Sequence, residues 1–106
     1  MFVDEKAVGE PKPIQVGTLK LSTAIRIGAS KRPQIRGRFF NSKGSCALGA
    51  AWEGMGFGSE DEHWMIYATV CPKLGIPVPL GEKISAMNDR GKTREQIADW
   101  LESQGY

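Results

Sequence analysis

Carboxylates are missing from a long stretch of this chain. Between Pro11 and Trp52 there is no Asp or Glu, yet eight cations fall there: Lys12, Lys20, Arg26, Lys31, Arg32, Arg36, Arg38 and Lys43. A one-sign block of this kind needs an anionic partner or a great deal of solvent. Histidine is nearly absent, with His63 standing alone. No Ser-His-Asp or Cys-His pairing can be argued from the spacing of so few candidates, and His63, beside Trp64, reads as a surface or half-buried residue. Cysteine is scarce as well. Cys46 and Cys71 have a spacing that does not favour a bridge, so they read as free, buried small hydrophobes of a reducing compartment. No run approaches the ~18 apolar residues of a membrane-spanning helix. The opening Met1-Phe2-Val3-Asp4-Glu5 is acidic with no apolar stretch behind it, so no signal peptide is expected and a cytoplasmic location is.

What is present suits one small domain. The 106 residues are 41% apolar and carry three Trp, four Phe and two Tyr as bulky core material. Thirteen glycines imply several tight turns. The net charge of +2 hides a split, because residues 1–10 sum to −2 and residues 53–106 to −4.

Pro11 and Pro13 make residues 1–17 an extended arm. Residues 18–31 fit both a period of two and a period of 3.6; their Ala and Gly content favours a closely packed helix, which Pro33 ends. Residues 32–44 form a loop with the densest charge and two adjacent aromatics, Phe39 and Phe40. Residues 45–55 read as a buried helix capped by Ser45, with Leu48, Ala51, Trp52 and Met55 on one stripe and Gly56 and Gly58 as its stop. Residues 59–71 read as a helix opened by a Ser59/Glu62 capping box and terminated by Pro72. The three prolines of residues 72–81 predict a rigid connector without helix or ladder. A short helix over 82–89 turns Ile84 and Met87 inward, and Asn88-Asp89-Arg90-Gly91-Lys92 forms a turn. The last helix opens on a Thr93/Gln96 capping box, buries Ile97, Trp100 and Leu101, sends Arg94, Glu95, Asp99 and Glu102 to water, and stops at Gly105.

Little of this points to catalysis. Gly54-Met55-Gly56-Phe57-Gly58 lacks the Lys-Ser/Thr of a phosphate loop. Glu60, Asp61 and Glu62 are explained by the helix dipole and capping. An enzyme is not expected, nor a metal or cofactor. The helix pair at 82–104 resembles the first two helices of resolvase-type helix-turn-helix domains but has no recognition helix after it, so it reads as a packing hairpin.

Five runs resemble, in order and spacing, a group of small uncharacterised bacterial and phage proteins. They are Leu21-Ser22-Thr23-Ala24-Ile25-Arg26-Ile27-Gly28-Ala29, Arg32-Pro33-Gln34, Ser45-Cys46-Ala47-Leu48-Gly49-Ala50-Ala51, and Asn88-Asp89 followed by Thr93-Arg94-Glu95-Gln96-Ile97-Ala98-Asp99-Trp100-Leu101. The resemblance spans residues 19–104 and brings no function with it. It implies a zinc-like pattern in relatives, with a second Cys at the position of Leu74 and His at those of Ala86 and Gly91. Only Cys71 remains here, and one thiolate cannot hold a structural zinc that takes four ligands. The resemblance therefore implies a lost metal, its corner filled by Leu74 and Met87.

The expected fold is mostly α: a single-domain bundle of four or five short helices over 18–106, the helix at 45–55 central, with the extended arm over 1–17. The expected function is a non-catalytic interaction module that binds an anionic macromolecule, nucleic acid or an acidic protein surface. Its binding residues are Arg26, Lys31, Arg32, Arg36, Arg38, Phe39, Phe40 and Lys43. The alternative is a phage-type inhibitor or adaptor acting on a host factor through an apolar patch at Phe39, Phe40 or Phe57. A small enzyme or metal protein would instead need a cleft holding His63 and Cys46, or bound zinc.

Overall fold

The computed structural model describes residues 19–57 and 65–106. The expected arm, the Ser59/Glu62 capping box, His63 and Trp64 lie outside the described residues. Within them the chain is mostly helical, as expected. It forms α1 (Leu21–Ala29), a hairpin of β1 (Phe40–Asn41) and β2 (Gly44–Ser45), α2 (Ala47–Gly54), α3 (Tyr67–Leu74), α4 (Val78–Asp89) and α5 (Arg94–Ser103). No helix among the described residues is long and apolar enough to cross a membrane.

The centre is α2. Every residue from Ala47 to Glu53 on it is buried: Ala47 to Trp52 are apolar or small all round, and Glu53 is buried against Arg32. Helix α1 crosses it at backbone contact. A Cβ on Gly28 would lie 1.8 Å from the carbonyl oxygen of Ala50, and one on Gly54 would lie 1.8 Å from that of Ala24. The small residues of the two helices thus let the main chains touch, and Ile25 and Trp52 are buried in the same core. Helix α5 closes the bundle through Ile97, Ala98 and Leu101, all fully buried. Burying Ile97 or Leu101 contributes about 2–3 kcal/mol each. Trp100 is only half-buried and carries Lys83 Nζ 5.0 Å from its ring centroid. The Thr93/Gln96 capping box forms as expected, with Gln96 N donating to Thr93 Oγ1 at 3.0 Å and Thr93 N to Gln96 Oε1 at 2.9 Å. Lys20, the residue before α1, offers its helix no side-chain cap. The main-chain oxygen of Tyr106 serves instead, accepting from Ser22 N at 3.1 Å and Ser22 Oγ at 3.2 Å.

Several expectations are corrected. The helix read over 59–71 starts at Tyr67, behind an extended Ile66, and the loop read over 32–44 contains β1. Pro72 does not terminate a helix but lies inside α3. Its ring removes a single helical bond two residues before the end, where Gly75 takes φ 76° and stops the helix. Residues 72–81 are not a connector, because α4 already starts at Val78. Pro77 is extended at its N-cap, and Pro79 sits in the first turn, where a missing N–H costs nothing. The cap of α2 is Cys46, not Ser45, which lies in β2 and is fully buried. Arg94 does not face water; it is 6% exposed.

Candidate functional site

Pro33 ends α1, so the chain from Arg32 to Phe39 must find its hydrogen bonds elsewhere. Part of the answer is β2: Ser45 N donates to Pro33 O at 2.9 Å and Ile35 N donates to Ser45 O at 3.0 Å. The rest comes from the end of α4 and the turn that follows it. Asn88 is fully buried beneath the loop. Its Oδ1 accepts from Gln34 Nε2 at 2.8 Å and from Ala47 N at 3.1 Å, and its Nδ2 donates to Ile35 O at 2.8 Å. Gln34 Nε2 also donates to Lys92 O at 2.8 Å, and Gly37 N to Asp89 Oδ1 at 3.1 Å. Arg94 completes the anchorage from below. Its Nη1 donates to Ser45 Oγ at 2.9 Å and its Nη2 to Arg32 O at 2.8 Å. Burial pulls the pKa of this guanidinium below its ordinary value.

This anchorage brings together cations that sequence pooled separately. Arg36 lies against Gly91, where a Cβ would sit 3.6 Å from Arg36 Nη2. Gly91 is flanked by Arg90 and Lys92, and all three cations are exposed. Arg90 and Lys92 were hidden in the charge count of residues 53–106; their signal was the glycine turn that carries them next to the basic loop. Lys31 and Lys43 are exposed too, and neither they nor Arg36, Arg90 and Lys92 hold an ion pair among the described residues.

The other sequence candidates divide. Arg26 joins α1 to α5, pairing with Asp99 at 2.6 Å and Glu102 at 2.9 Å. Hydrogen bonds to Asp99 and then Glu102 push its pKa up. Arg32 pairs at 2.8 Å with the buried Glu53, and its Nη1 donates to Asn41 O at 2.9 Å. These two are committed to internal acids. Phe40 is a core residue at 3% exposure and is not offered to a partner. Phe39 is half-buried, edge-on to Tyr67 with centroids 5.6 Å apart. Phe57 packs on Trp52 with centroids 4.5 Å apart.

Beside the basic loop opens a cavity of about 330 Å³, lined by residues 37–39, Cys46, residues 65–67 at the entry to α3, and Ser85 and Asp89 of α4. Both cysteines are free and buried. Burial pushes each thiol pKa up; for Cys46 the N–H groups of Gly49 and Leu48 oppose this, and for Cys71 the charge of Glu82 adds to it. A protonated thiol is a poor nucleophile, so Cys46 is not activated for attack at neutral pH. The same shift sets a stability window. Below the ordinary thiol pKa of about 8.5, folded and unfolded chains both hold the proton, and nothing is lost. As pH rises above it, the unfolded chain ionises first and stability falls. Urea midpoints at pH 7 and pH 10 should show this decline, and a Cys46→Ala/Cys71→Ala chain should decline less. No group of three or more His, Cys, Asp and Glu able to hold a metal ion occurs among the described residues. Leu74 is in the core and Met87 packs against it.

No protein-family model matches the chain, and neither the curated proteins nor the solved structures contain a match to it.

Proposed function

We propose that this chain is a non-catalytic interaction module whose exposed basic loop binds an anionic macromolecule, either nucleic acid or an acidic protein surface. The bacterial or phage setting and the cytoplasmic location belong to the same proposal. The observation that carries it is the seating of Arg36 against Gly91, between Arg90 and Lys92, with no carboxylate paired to any of them among the described residues. The main chain on either side of Arg36 is tied to Asn88 and Asp89, which keeps the roots of these exposed cations together on one face. Lys31, Arg38 and Lys43 extend it, while Arg26 and Arg32 drop out of the binding set because acids of the fold already hold them.

The test is a salt titration on duplex DNA. Each neutralised phosphate contributes a slope of about −0.9 in log affinity against log salt, so four contacts predict about −3 to −4. Arg36→Glu/Lys92→Glu should flatten that slope by about two units and weaken binding at least tenfold at 0.1 M salt. An unchanged slope in that variant, or a parent that binds neither DNA nor poly-glutamate in a salt-dependent way, removes the proposal. The alternative adaptor reading relied on an apolar patch at Phe39, Phe40 or Phe57. The burial of Phe40 and the packing of Phe57 on Trp52 favour the basic surface over it.

A further inference from the structure

The cavity beside the basic loop and the loop itself share a wall. Gly37, Arg38 and Phe39 line the cavity, and Arg36 precedes them on the cationic rim. The remaining wall divides by chemistry. Phe39, Met65, Ile66 and Tyr67 give it an apolar side, with Ile66 55% exposed. Ser85 and Asp89 give it a polar side. Asp89 Oδ1 accepts from Gly37 N, but its other oxygen and Ser85 Oγ have no partner among the described residues. At about 330 Å³ the space is at the small end of ligand sites, room for one ring system rather than a chain segment.

We propose that this cavity takes one unpaired nucleobase of a single-stranded nucleic acid whose phosphates lie on Arg36, Arg90 and Lys92. The proposal rests on the anionic-partner reading and narrows it. A nucleobase has apolar faces for the side of Phe39 and Tyr67, and exocyclic amino groups that donate to Asp89 and Ser85. Its phosphates sit one short link away, on the cationic rim. An acidic protein fits worse. An aliphatic anchor would leave Ser85 and Asp89 unpaired, and an acidic one would meet the Asp89 carboxylate. A duplex fits worse again, because its bases are not free to enter.

Fluorescence anisotropy with a labelled 12-nucleotide mixed-sequence strand, alone and as its duplex, decides the matter. The strand is expected to bind at least tenfold tighter than the duplex at 0.1 M salt. A 2-aminopurine placed mid-strand should change its emission on binding, a readout that needs no variant. Ser85→Phe, which fills the cavity, should erase the strand preference and leave the salt slope intact; should it unfold, the 2-aminopurine signal stands alone. Equal affinity for strand and duplex with a silent 2-aminopurine overturns the cavity proposal and leaves the anionic reading standing. Binding of poly-glutamate but of neither nucleic acid also overturns it, in favour of an acidic protein. Adenosine monophosphate binding as tightly as the strand overturns the strand and points to a free nucleotide. No binding by any of them, at any salt, overturns both readings.

Discussion

Gly28→Val is expected to lower the unfolding free energy by about 3–5 kcal/mol, a large share of the usual total of about 5–15 for a small domain. The new Cβ alone would stand 1.8 Å from Ala50 O and 2.4 Å from Ala50 C. These are main-chain atoms of the most buried helix, so no side chain can swing aside. Helices α1 and α2 must separate, and Ala24, Ile25 and Trp52 lose their contacts together. A useful contrast is Gly56→Val. Gly56 has nothing within 4 Å of its position but takes φ 89°. That change should cost only the strain of a left-handed residue, about 1–2 kcal/mol. Chemical denaturation followed by tryptophan fluorescence separates the two. If Gly28→Val is as mild as Gly56→Val, the close crossing of α1 and α2 is not what holds them.

Removing the Asn88 side chain is expected to cost about 3 kcal/mol, well above what the loss of one ordinary hydrogen bond costs. Asn88→Ala orphans the Ala47 N–H and the Ile35 carbonyl and leaves the Gln34 amide with its bond to Lys92 O alone. Two of these tie the basic loop to the core, so the damage should be directional. Amide exchange should rise across residues 34–45 before it rises in α5. Anion binding should weaken although every cation is still present, because Arg36 would no longer be seated on the α4–α5 turn. Asn88→Asp is an instructive partner. It keeps the acceptor but loses the donor to Ile35 and buries a charge, so it should not rescue stability. Anion affinity unchanged in a folded Asn88→Ala protein would mean that the patch does not depend on the loop's seating.

Local rules carried much of the fold. Thr93 and Gln96 cap α5 because both halves of that motif lie within four residues. The stripe through Leu48, Ala51, Trp52 and Met55 marked a helix, but it named one face of an element that is buried on every side from Ala47 to Glu53, with Met55 as its C-cap. The proline-rich stretch misled because the cost of a proline depends on where in a helix it falls. Pro79 sits in a first turn and Pro72 near a last one, and neither position is visible before the boundaries are known. Arg94 misled for a different reason. Its face of α5 looks polar in sequence, and its acceptors on Ala29, Arg32 and Ser45 lie 49 to 65 residues away. The same distance hid Arg90 and Lys92 from the basic surface. A count along the chain read the one-sign block correctly, yet only the fold could separate Arg26 and Arg32, already matched to acids, from Arg36.

That reach of Arg94 has a consequence for assembly. On a ribosome the chain emerges from the N-terminus, so α1, the hairpin and α2 are exposed to solvent before Arg94 has been synthesised. Until it arrives, the carbonyls of Ala29 and Arg32 and the buried Ser45 lack the guanidinium that gathers them. Closing so wide a loop is an entropic step taken late, after local helices can already form. The nascent protein therefore passes through an interval in which its basic segment has emerged but is not yet seated, and the segment gains its final shape only as the last helix docks.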